Sequence, residues 1–379
     1  MRSWKSGLLR VCVYSSAVLA LTGCGQFFPP LSSGGGGSGS ASGDYLYVGN
    51  IGTNPLTIAG FSIASSALSD VSGSPFEVSL EPTALAITPD DTYLYLGSAA
   101  GGIYVFTIGS NGSISLANNG SPVATGITPS VLRVDPSGKF VIGGSSFAGQ
   151  AFVYQIESGG ALTPISSSVV TLNSSAPVTD LEVSPSGAYV FASVGTGGIY
   201  EMSFNSGTGA MAQINGVLNP KNNNAADMGL AVSPSGNFLF AAETVTGGVR
   251  VFSIGTNGVL TETSGSPYTT NTGAWAVLVD STGSYVYVAN RTAGTVSAFL
   301  LTNSGALTAV SGSPFTTGTL PVAMVEDKSK AYIAVICAGG SPDLQVFSIS
   351  STTPGALTSL ATAKTGTDPT EATSIAATQ

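Results

Sequence analysis

Apolar and polar positions alternate in short segments that recur along the chain. Six copies of one pattern start with an apolar triplet, pass through a turn and end in an aromatic-rich segment. They are LAITPDDTYLYLGS at Leu85, LRVDPSGKFVIGGS at Leu132, LEVSPSGAYVFASV at Leu181, LAVSPSGNFLFAAE at Leu230, VLVDSTGSYVYVAN at Val277 and MVEDKSKAYIAVIC at Met324. Successive copies start 47 or 49 residues apart. Alternation with period two, rich in β-branched and aromatic residues, is typical of strands.

Each copy predicts four strands. A turn such as P-S-G joins the first two, because proline presets φ and glycine supplies a positive φ. A third strand such as GGVRVFSI follows, and a glycine-containing turn leads to a short fourth one such as LTAVSGSPF. Four-stranded units that repeat about every 40–50 residues are typical of propeller blades.

The two ends of the repeat region predict the number of blades. The segment DYLYVGN (44–50) matches the second strand of a blade, and TSIAATQ (373–379) matches the first strand. The C-terminal strand should therefore complete the blade that begins at Asp44. One split blade and six whole ones predict an all-β, seven-bladed propeller over 44–379, closed into a ring without free sheet edges.

These repeats resemble the seven-bladed propellers of the lactonase-like and YVTN-repeat families. The resemblance covers nearly all of 44–379 and is clearest in STGSYVYVAN (281–290) and GALTAVSGSPF (305–315). It implies kinship with enzymes that open or close sugar-acid or muconate-type lactones, and with exported proteins of no defined activity. The enzymes of such families place polar side chains, histidine among them, around the central channel. This chain has no histidine, so no family catalytic residue can be matched onto it.

The N-terminal segment predicts export. Three basic residues precede an apolar run over 11–21, which is followed by Gly23 and Cys24. A basic start, a short apolar stretch and small residues are the parts of a secretory signal, and the run is shorter than the roughly 20 residues of a spanning helix. The sequence L-T-G-C resembles the bacterial lipoprotein signal, in which the cysteine is lipidated. The alternative is an ordinary cleaved signal with a chance cysteine.

The chain therefore divides into three predicted parts. Residues 1–23 form the lipoprotein signal, residues 24–43 the lipidated Cys24 with a Gly/Ser-rich flexible tether, and residues 44–379 the propeller. We expect an exported bacterial lipoprotein at the outer membrane or in the cell surface and periplasmic space, held to the membrane by the lipid on Cys24. We expect the protein to be a monomer.

Charge and composition exclude several functions. The chain has 11 Lys and Arg against 20 Asp and Glu, so loss of the three basic residues of the signal leaves 8 against 20, a net charge of −12. This argues against nucleic acid as a partner. The absence of histidine excludes Ser-His-Asp and Cys-His catalysis and histidine-ligated zinc. No calcium-loop spacing is present, so we predict no metal and no other cofactor. Cys337 should be a buried small hydrophobe.

The innermost strands offer one pair of candidate site residues. At the second position of the triplet, five blades carry an apolar residue: Ala86, Ala231, Leu278, Val325 and Ala376. Two neighbouring blades carry Arg133 and Glu182 instead, and their equal register should bring them together near the axis. One interpretation is a structural ion pair. The other is a site in which Arg133 binds a carboxylate or other anion and Glu182 serves as a general base or orients the ligand.

The loops at the channel mouth add ligand-binding candidates: Trp275, Glu243, Arg291 and Asp227. Trp275 is the single tryptophan after the signal. Exposed, it could stack on a sugar ring, and buried, it would plug the space between blades. Glu243 and Arg291 end the second strands of successive blades and could form a simple salt bridge. Further acidic candidates in these loops are Glu77, Glu81, Asp180 and Asp343. On the innermost strands, Glu326 is a third candidate beside Arg133 and Glu182, one position out of register.

Three functions are compatible with these features. The absence of histidine and the low charge density favour a tethered module that binds a carbohydrate-like ligand or a protein partner. The alternative is a lactonase-like hydrolase of sugar-acid lactones, with Glu182 activating water and Arg133 holding an anionic substrate. A structural surface protein is the third. A solvent-accessible group of Arg, Glu and Trp in the channel would favour the hydrolase, and a channel plugged by apolar side chains would favour the other two.

Overall fold

The structure is a computed structural model that describes residues 43–379, except for 53–54, 65–66, 148, 173–175, 223, 246–247 and 367–370. The predicted signal, Cys24 and nearly all of the predicted tether lie outside the described residues. Within the described part, helical structure is confined to three single 3-10 turns: Asn118–Gly120, Ser158–Gly160 and Ser166–Ser168. No described helix is long and apolar enough to cross a membrane.

Seven antiparallel sheets form a ring, which confirms the predicted seven-bladed, all-β propeller. We number the blades 1–7 in the order of their second strands. The innermost strands are β5 (Pro82–Ile87), β9 (Pro129–Val134), β14 (Asp180–Val183), β18 (Asp227–Val232), β23 (Ala274–Val279) and β28 (Pro321–Glu326) in blades 2–7, with β32 (Glu371–Ala377) in blade 1. The second strands are β1 (Tyr45–Ile51), β6 (Tyr93–Ser98), β10 (Phe140–Ser145), β15 (Tyr189–Ser193), β19 (Phe238–Glu243), β24 (Tyr285–Asn290) and β29 (Tyr332–Cys337).

The outer half of each blade consists of a third strand, which is largely buried, and a fourth strand at the rim, which in most blades is shorter and more exposed. The third strands are β2 (Thr57–Ala64), β7 (Ile103–Ile108), β11 (Gln150–Ile156), β16 (Ile199–Phe204), β20 (Gly248–Ile254), β25 (Thr295–Leu301) and β30 (Leu344–Ile349). The fourth strands are β3 (Ala67–Asp70), β8 (Ile114–Leu116), β12 (Leu162–Pro164), β17 (Met211–Gln213), β21 (Leu260–Glu262), β26 (Leu307–Ala309) and β31 (Leu357–Ala363). Two-residue strands also pair with the third strand of four blades: β4 (Phe76–Glu77), β13 (Val170–Thr171), β22 (Tyr268–Thr269) and β27 (Phe315–Thr316).

The turns between first and second strands are held by the residue that follows the apolar triplet. In blade 3, the Asp135 carboxylate accepts hydrogen bonds from the backbone N–H groups of Lys139 and Phe140 at 2.8 and 2.7 Å. Gly138 provides the positive φ of +70° that the turn requires. Asp280 and Asp327 accept the equivalent bonds in blades 6 and 7. A side chain that bonds to nearby backbone in this way favours a turn over a continued strand.

The hydrophobic core lies between neighbouring blades. Fully buried tyrosines on the second strands reach into the next blade, where Tyr47 donates to the Gly112 carbonyl at 2.7 Å and Tyr95 to the Gly160 carbonyl at 3.1 Å. Cys337 is fully buried, as predicted, and burial raises the pKa of its thiol to about 11. Each blade therefore depends on its neighbours for burial of its faces.

The ring closes where β32 pairs with β1. The pairing runs from Leu46 opposite Ala377 to Ile51 opposite Glu371. Beyond it, the Thr378 backbone N–H donates to the Tyr45 carbonyl at 3.0 Å, and the Thr378 hydroxyl accepts from the Tyr45 N–H at 2.9 Å. These contacts confirm that the C-terminal strand completes the blade begun at the start of the propeller.

A recurring β-bulge shapes the upper mouth of the channel, which we define as the end where the innermost strands begin. In blades 2, 6 and 7 the pairing skips Thr83, Trp275 and Val322, two residues before the first residue of each apolar triplet. A bulge bends the strand locally and redirects a side chain. The bulged residues line the central cavity, so this irregularity decides which side chains surround its upper mouth.

Deletion of Thr373–Gln379 should abolish stable folding. The deletion removes the innermost strand of blade 1, leaves the edge of β1 unpaired and exposes core that this strand covers. Size-exclusion chromatography and circular dichroism should show an aggregated or unfolded product. Removal of the exposed Gln379 alone is the matched control and should leave a folded monomer, whereas a stable monomer lacking all seven residues would contradict closure by β32.

Candidate active site

A central cavity of about 720 Å³ runs along the axis of the ring, and residues from all seven innermost strands line it. Five of the described lining side chains are charged: Arg133, Asp180, Glu182, Glu326 and Lys330. The channel is therefore not plugged by apolar side chains alone. The innermost strands are parallel around the ring, so their starts meet at the upper mouth and their ends at the opposite, lower mouth.

Arg133 lies between two carboxylates of the neighbouring blade. Its Nε donates to Glu182 Oε1 at 3.0 Å and its Nη2 to Asp180 Oδ1 at 2.8 Å. The three side chains are 35, 24 and 16% exposed for Arg133, Glu182 and Asp180. The proximity of Arg133 and Glu182 agrees with the expectation from equal register. Asp180, which the sequence placed only among the mouth loops, joins them because it lies two residues before Glu182 on β14.

Burial governs the protonation of this group. It raises the pKa of Glu182 to about 7, against the opposing effect of the Arg133 charge. Burial also raises the pKa of Asp180, although Arg133 and the backbone N–H groups of Leu230 and Leu181 favour its ionised form. A carboxyl group that titrates near neutrality can both accept and release a proton at physiological pH. Because two carboxylates already engage Arg133, its charge is largely neutralised in place.

Trp275 is half-buried at the upper mouth and is not a plug between blades. It lines the cavity, and the Arg291 guanidinium lies over its ring, 4.6 Å from the ring centroid. Two backbone hydrogen bonds join the loops that carry these residues, from the Arg291 N–H to the Gly273 carbonyl at 2.7 Å and from the Ala293 N–H to the Thr272 carbonyl at 3.1 Å. The structure thus places two of the predicted ligand-binding residues together.

Glu243 and Asp227 belong to a different group, buried within blade 5. Arg250 binds Asp227 Oδ2 through Nη1 at 2.9 Å and approaches Glu243 Oε2 at 3.8 Å and Glu262 Oε2 at 3.3 Å. Of the two interpretations given for Glu243 and Arg291, the salt bridge between them does not form, because Glu243 is engaged within blade 5. Arg250 lies on the third strand of the same sheet as Glu243, outside the innermost strands and the mouth loops that carry the sequence candidates.

This buried group holds a surface loop and does not line the cavity. Glu243 accepts from the Lys221 backbone N–H at 2.8 Å, and Arg250 donates to the Asn219 carbonyl at 3.1 Å. Burial raises the pKa of Asp227 to about 6, against the opposing charge of Arg250. The arrangement satisfies charges that would otherwise be costly in the interior, and its role is structural.

The remaining acidic candidates lie apart from the Arg133 group. Glu326 ends its strand at the lower mouth and accepts from the Ser281 backbone N–H at 3.0 Å. Asp343 is buried and accepts from the Thr365 backbone N–H at 3.0 Å. Glu77 lines a separate groove of about 330 Å³ at the rim of blade 1, and Glu81 is exposed. Among the residues with described placement, no group of three or more acidic or cysteine side chains is arranged to hold a metal ion.

Seven blades around an open, charged channel define this protein as a seven-bladed propeller with a central cavity. Comparison with known families identifies the propeller family to which it belongs. The model of the family described as "Lactonase, 7-bladed beta-propeller" matches residues 45–373. The chain therefore belongs to this lactonase propeller family, in agreement with the resemblance of its repeats. No curated protein sequence matches it at a significant level.

Solved structures share the fold at low sequence identity. A protein from Bacteroides uniformis ATCC 8492 assigned as a 6-phosphogluconolactonase is 18% identical, with a TM-score of 0.74 over 88% of this chain and 99% of that one. One from Bacteroides fragilis NCTC 9343 with the same assignment is 19% identical, with a TM-score of 0.72 over 93 and 100%. The periplasmic gluconolactonase of Pseudomonas aeruginosa is 17% identical, with a TM-score of 0.70 over 89 and 99%. At these identities the likeness establishes the fold alone.

Replacement of Arg250 should destabilise the protein without altering the cavity. Arg250→Met leaves the buried Asp227 and Glu243 carboxylates without their cation, and removal of one partner from a buried ion pair costs about 3 kcal/mol or more. Urea denaturation should show this loss as a lower midpoint. Lys139→Met removes an equal charge from an exposed turn and should leave the midpoint within experimental error. Equal midpoints for the two variants would disprove the structural role of Arg250.

Proposed function

We propose that this protein hydrolyses a lactone within the central cavity, with Glu182 as the general base. The observation that carries the proposal is the position of Glu182, which lines an open cavity beside Arg133 and Asp180 with a pKa of about 7. Membership of the lactonase propeller family supports it, as does the mixture of Arg, Glu and Trp along the cavity wall. These features favour the hydrolase over a binding module, which the absence of histidine had favoured.

The reaction needs one proton acceptor and stabilisation of one developing negative charge. The Glu182 carboxylate takes a proton from water as the water oxygen attacks the lactone carbonyl carbon. The bond from that carbon to the ring oxygen then breaks, and the ring oxygen takes the proton from Glu182 to become an alcohol. The product is a hydroxy acid. In that intermediate Glu182 is protonated and no longer offsets the charge of Arg133, so the guanidinium can stabilise the oxyanion. Before the proton moves, the Arg133 Nε–H bond holds Glu182 in place.

Loss of the Glu182 carboxylate should strongly reduce turnover. Glu182→Gln should lower kcat by about 10²–10⁴, the contribution of a positioned general base. In the unaltered protein, kcat/KM should rise with pH, reach half its maximum near pH 7 and level off at higher pH, because the carboxylate form of Glu182 accumulates as the pH passes its pKa. Hydrolysis of a panel of sugar-acid and aliphatic lactones, followed by pH-stat titration, measures both.

Glu326→Gln is the matched control, because Glu326 also lines the cavity but is bound to the Ser281 turn at the lower mouth. It should retain both the rate and the pH profile. Turnover that persists in Glu182→Gln would refute Glu182 as the base. Turnover of no lactone in the panel would favour the second candidate function, a carbohydrate-binding module, for which the Trp275 ring beside the cavity is the supporting observation.

The N-terminal sequence adds a proposed location. An exported protein tethered through a lipid on Cys24 would hold the propeller at a membrane surface, as L-T-G-C after a basic and apolar segment indicates. Cys24→Ser should release the protein from the membrane fraction and abolish incorporation of labelled palmitate. Cys337→Ser is the control and should change neither, because Cys337 is buried in blade 7. Continued labelling of Cys24→Ser would contradict lipidation at this position.

A further inference from the structure

The residues at the β-bulge level of the innermost strands divide the upper mouth into two arcs. Blades 1–4 carry hydroxyl side chains at this level: Thr373, Thr83, Ser130 and Thr179. Each of these hydroxyls donates to a backbone carbonyl of the following blade, at distances from 2.6 to 3.3 Å. These hydrogen bonds link neighbouring blades. The hydroxyl protons of this arc are therefore already used in structural contacts.

Blades 5–7 carry apolar side chains at the same level: Met228, Trp275 and Val322. All three are half-buried and line the cavity. They therefore form a continuous apolar arc, which begins beside the blade that carries Glu182. An apolar surface exposed within a cavity is available for a ligand that brings an apolar face of its own.

Trp275 is the rigid centre of this arc. The Arg291 guanidinium lies over the indole through a cation–π contact, and Arg291 itself does not line the cavity. Gly229 of blade 5 permits a close approach of the backbone, because a Cβ there would lie 2.7 Å from the Trp275 carbonyl oxygen. Arg291 thus covers one face of the indole, and close packing against blade 5 fixes the Trp275 backbone, which leaves the cavity-facing surface of the ring to a ligand.

The charge of the cavity discriminates between ligands of the same shape. Its charged lining side chains are two cations and three carboxylates, and the Arg133 cation is bound by two of those carboxylates. None of the residues between 43 and 379 that lack a described placement is Lys or Arg. A dianionic phosphate would therefore meet a cavity whose cations are outnumbered, and electrostatic repulsion disfavours it.

We propose that Trp275, backed by Arg291, is the ring-stacking subsite of this cavity and selects an uncharged, polyhydroxylated lactone over its phosphorylated counterpart. The inference rests on the proposed hydrolytic function and names its substrate class. The C–H face of the ring packs on the indole, while its hydroxyl groups remain in the hydrated part of the cavity. Trp275 is a specificity-determining residue here and takes no part in the chemical step.

Binding can be measured apart from turnover, because Trp275 is its own reporter. In the full chain carrying Trp4→Phe, Trp275 is the single tryptophan. Titration with glucono-1,5-lactam, an uncharged analogue that resists hydrolysis, should change the emission in a saturable way. The 6-phosphate ester of this lactam should bind at least about tenfold more weakly. An unchanged emission at lactam concentrations that inhibit hydrolysis, or tighter binding of the phosphate ester, would overturn the proposal.

Kinetics of Trp275 variants test the same subsite through a different readout. Trp275→Leu should raise the KM for gluconolactone about tenfold, the loss expected from removal of an aromatic face, with kcat changed by less than about twofold. Trp275→Phe should keep most of the affinity and serves as the folding-safe variant. An unchanged KM in Trp275→Leu would refute the subsite.

The two proposals fail in distinguishable ways. Glu182→Gln should bind the lactam as tightly as the unaltered protein while it loses turnover, because Glu182 is not part of the apolar arc. Full turnover in Glu182→Gln with intact lactam binding would remove the proposed base and leave the subsite. Turnover that depends on Glu182 but shows no preference for the uncharged lactone would remove the subsite and leave the hydrolase.

Discussion

The backbone hydrogen bonds between β1 and β32 are the constraint on which the rest of the structure depends. Each blade buries its faces against its two neighbours, so an open array would leave two terminal blades with exposed core and unpaired edges. The β1–β32 pairing, which runs from Leu46 with Ala377 to Ile51 with Glu371, removes the exposed core and the unpaired edges together. It also creates the cavity, since a channel exists only when seven innermost strands surround a common axis.

Closure then determines how charges behave near the axis. Arg133, Asp180 and Glu182 come from adjacent blades whose spacing the ring sets, and they meet in a partly desolvated space. Their mutual attraction offsets part of the cost of burial. Burial nevertheless keeps the pKa of Glu182 near 7. In the buried group around Arg250, attraction between opposite charges likewise offsets the cost of burial, here within one blade. A loop covers this group, and its role is structural. Access to the cavity separates a candidate catalytic group from a structural one.

Much of the candidate site could be located from the sequence, and the errors have identifiable causes. Arg133 and Glu182 were paired correctly because a strand repeat of fixed register places equivalent positions side by side. A salt bridge between Glu243 and Arg291 was one interpretation of their equivalent strand positions, but Arg250 lies on the strand paired with that of Glu243 and is its cationic neighbour instead. The bulges that aim Trp275 and its equivalents into the cavity leave no mark in the alternation of apolar residues, since a bulge shifts pairing without changing composition.

The amino-acid sequence by itself determined the strands, their turns, the seven blades and the closure by the last strand. These follow from local alternation, from turn residues such as Gly138 and from a repeat that begins and ends at different points of one unit. Only the tertiary structure decided that Asp180 joins Arg133 and Glu182. It also decided that Arg250 approaches the Glu243 carboxylate, and that Trp275 lines an open cavity while its ring packs against Arg291. Those contacts join residues from different strands and blades, and their distances depend on ring closure and bulge geometry, which no local pattern encodes.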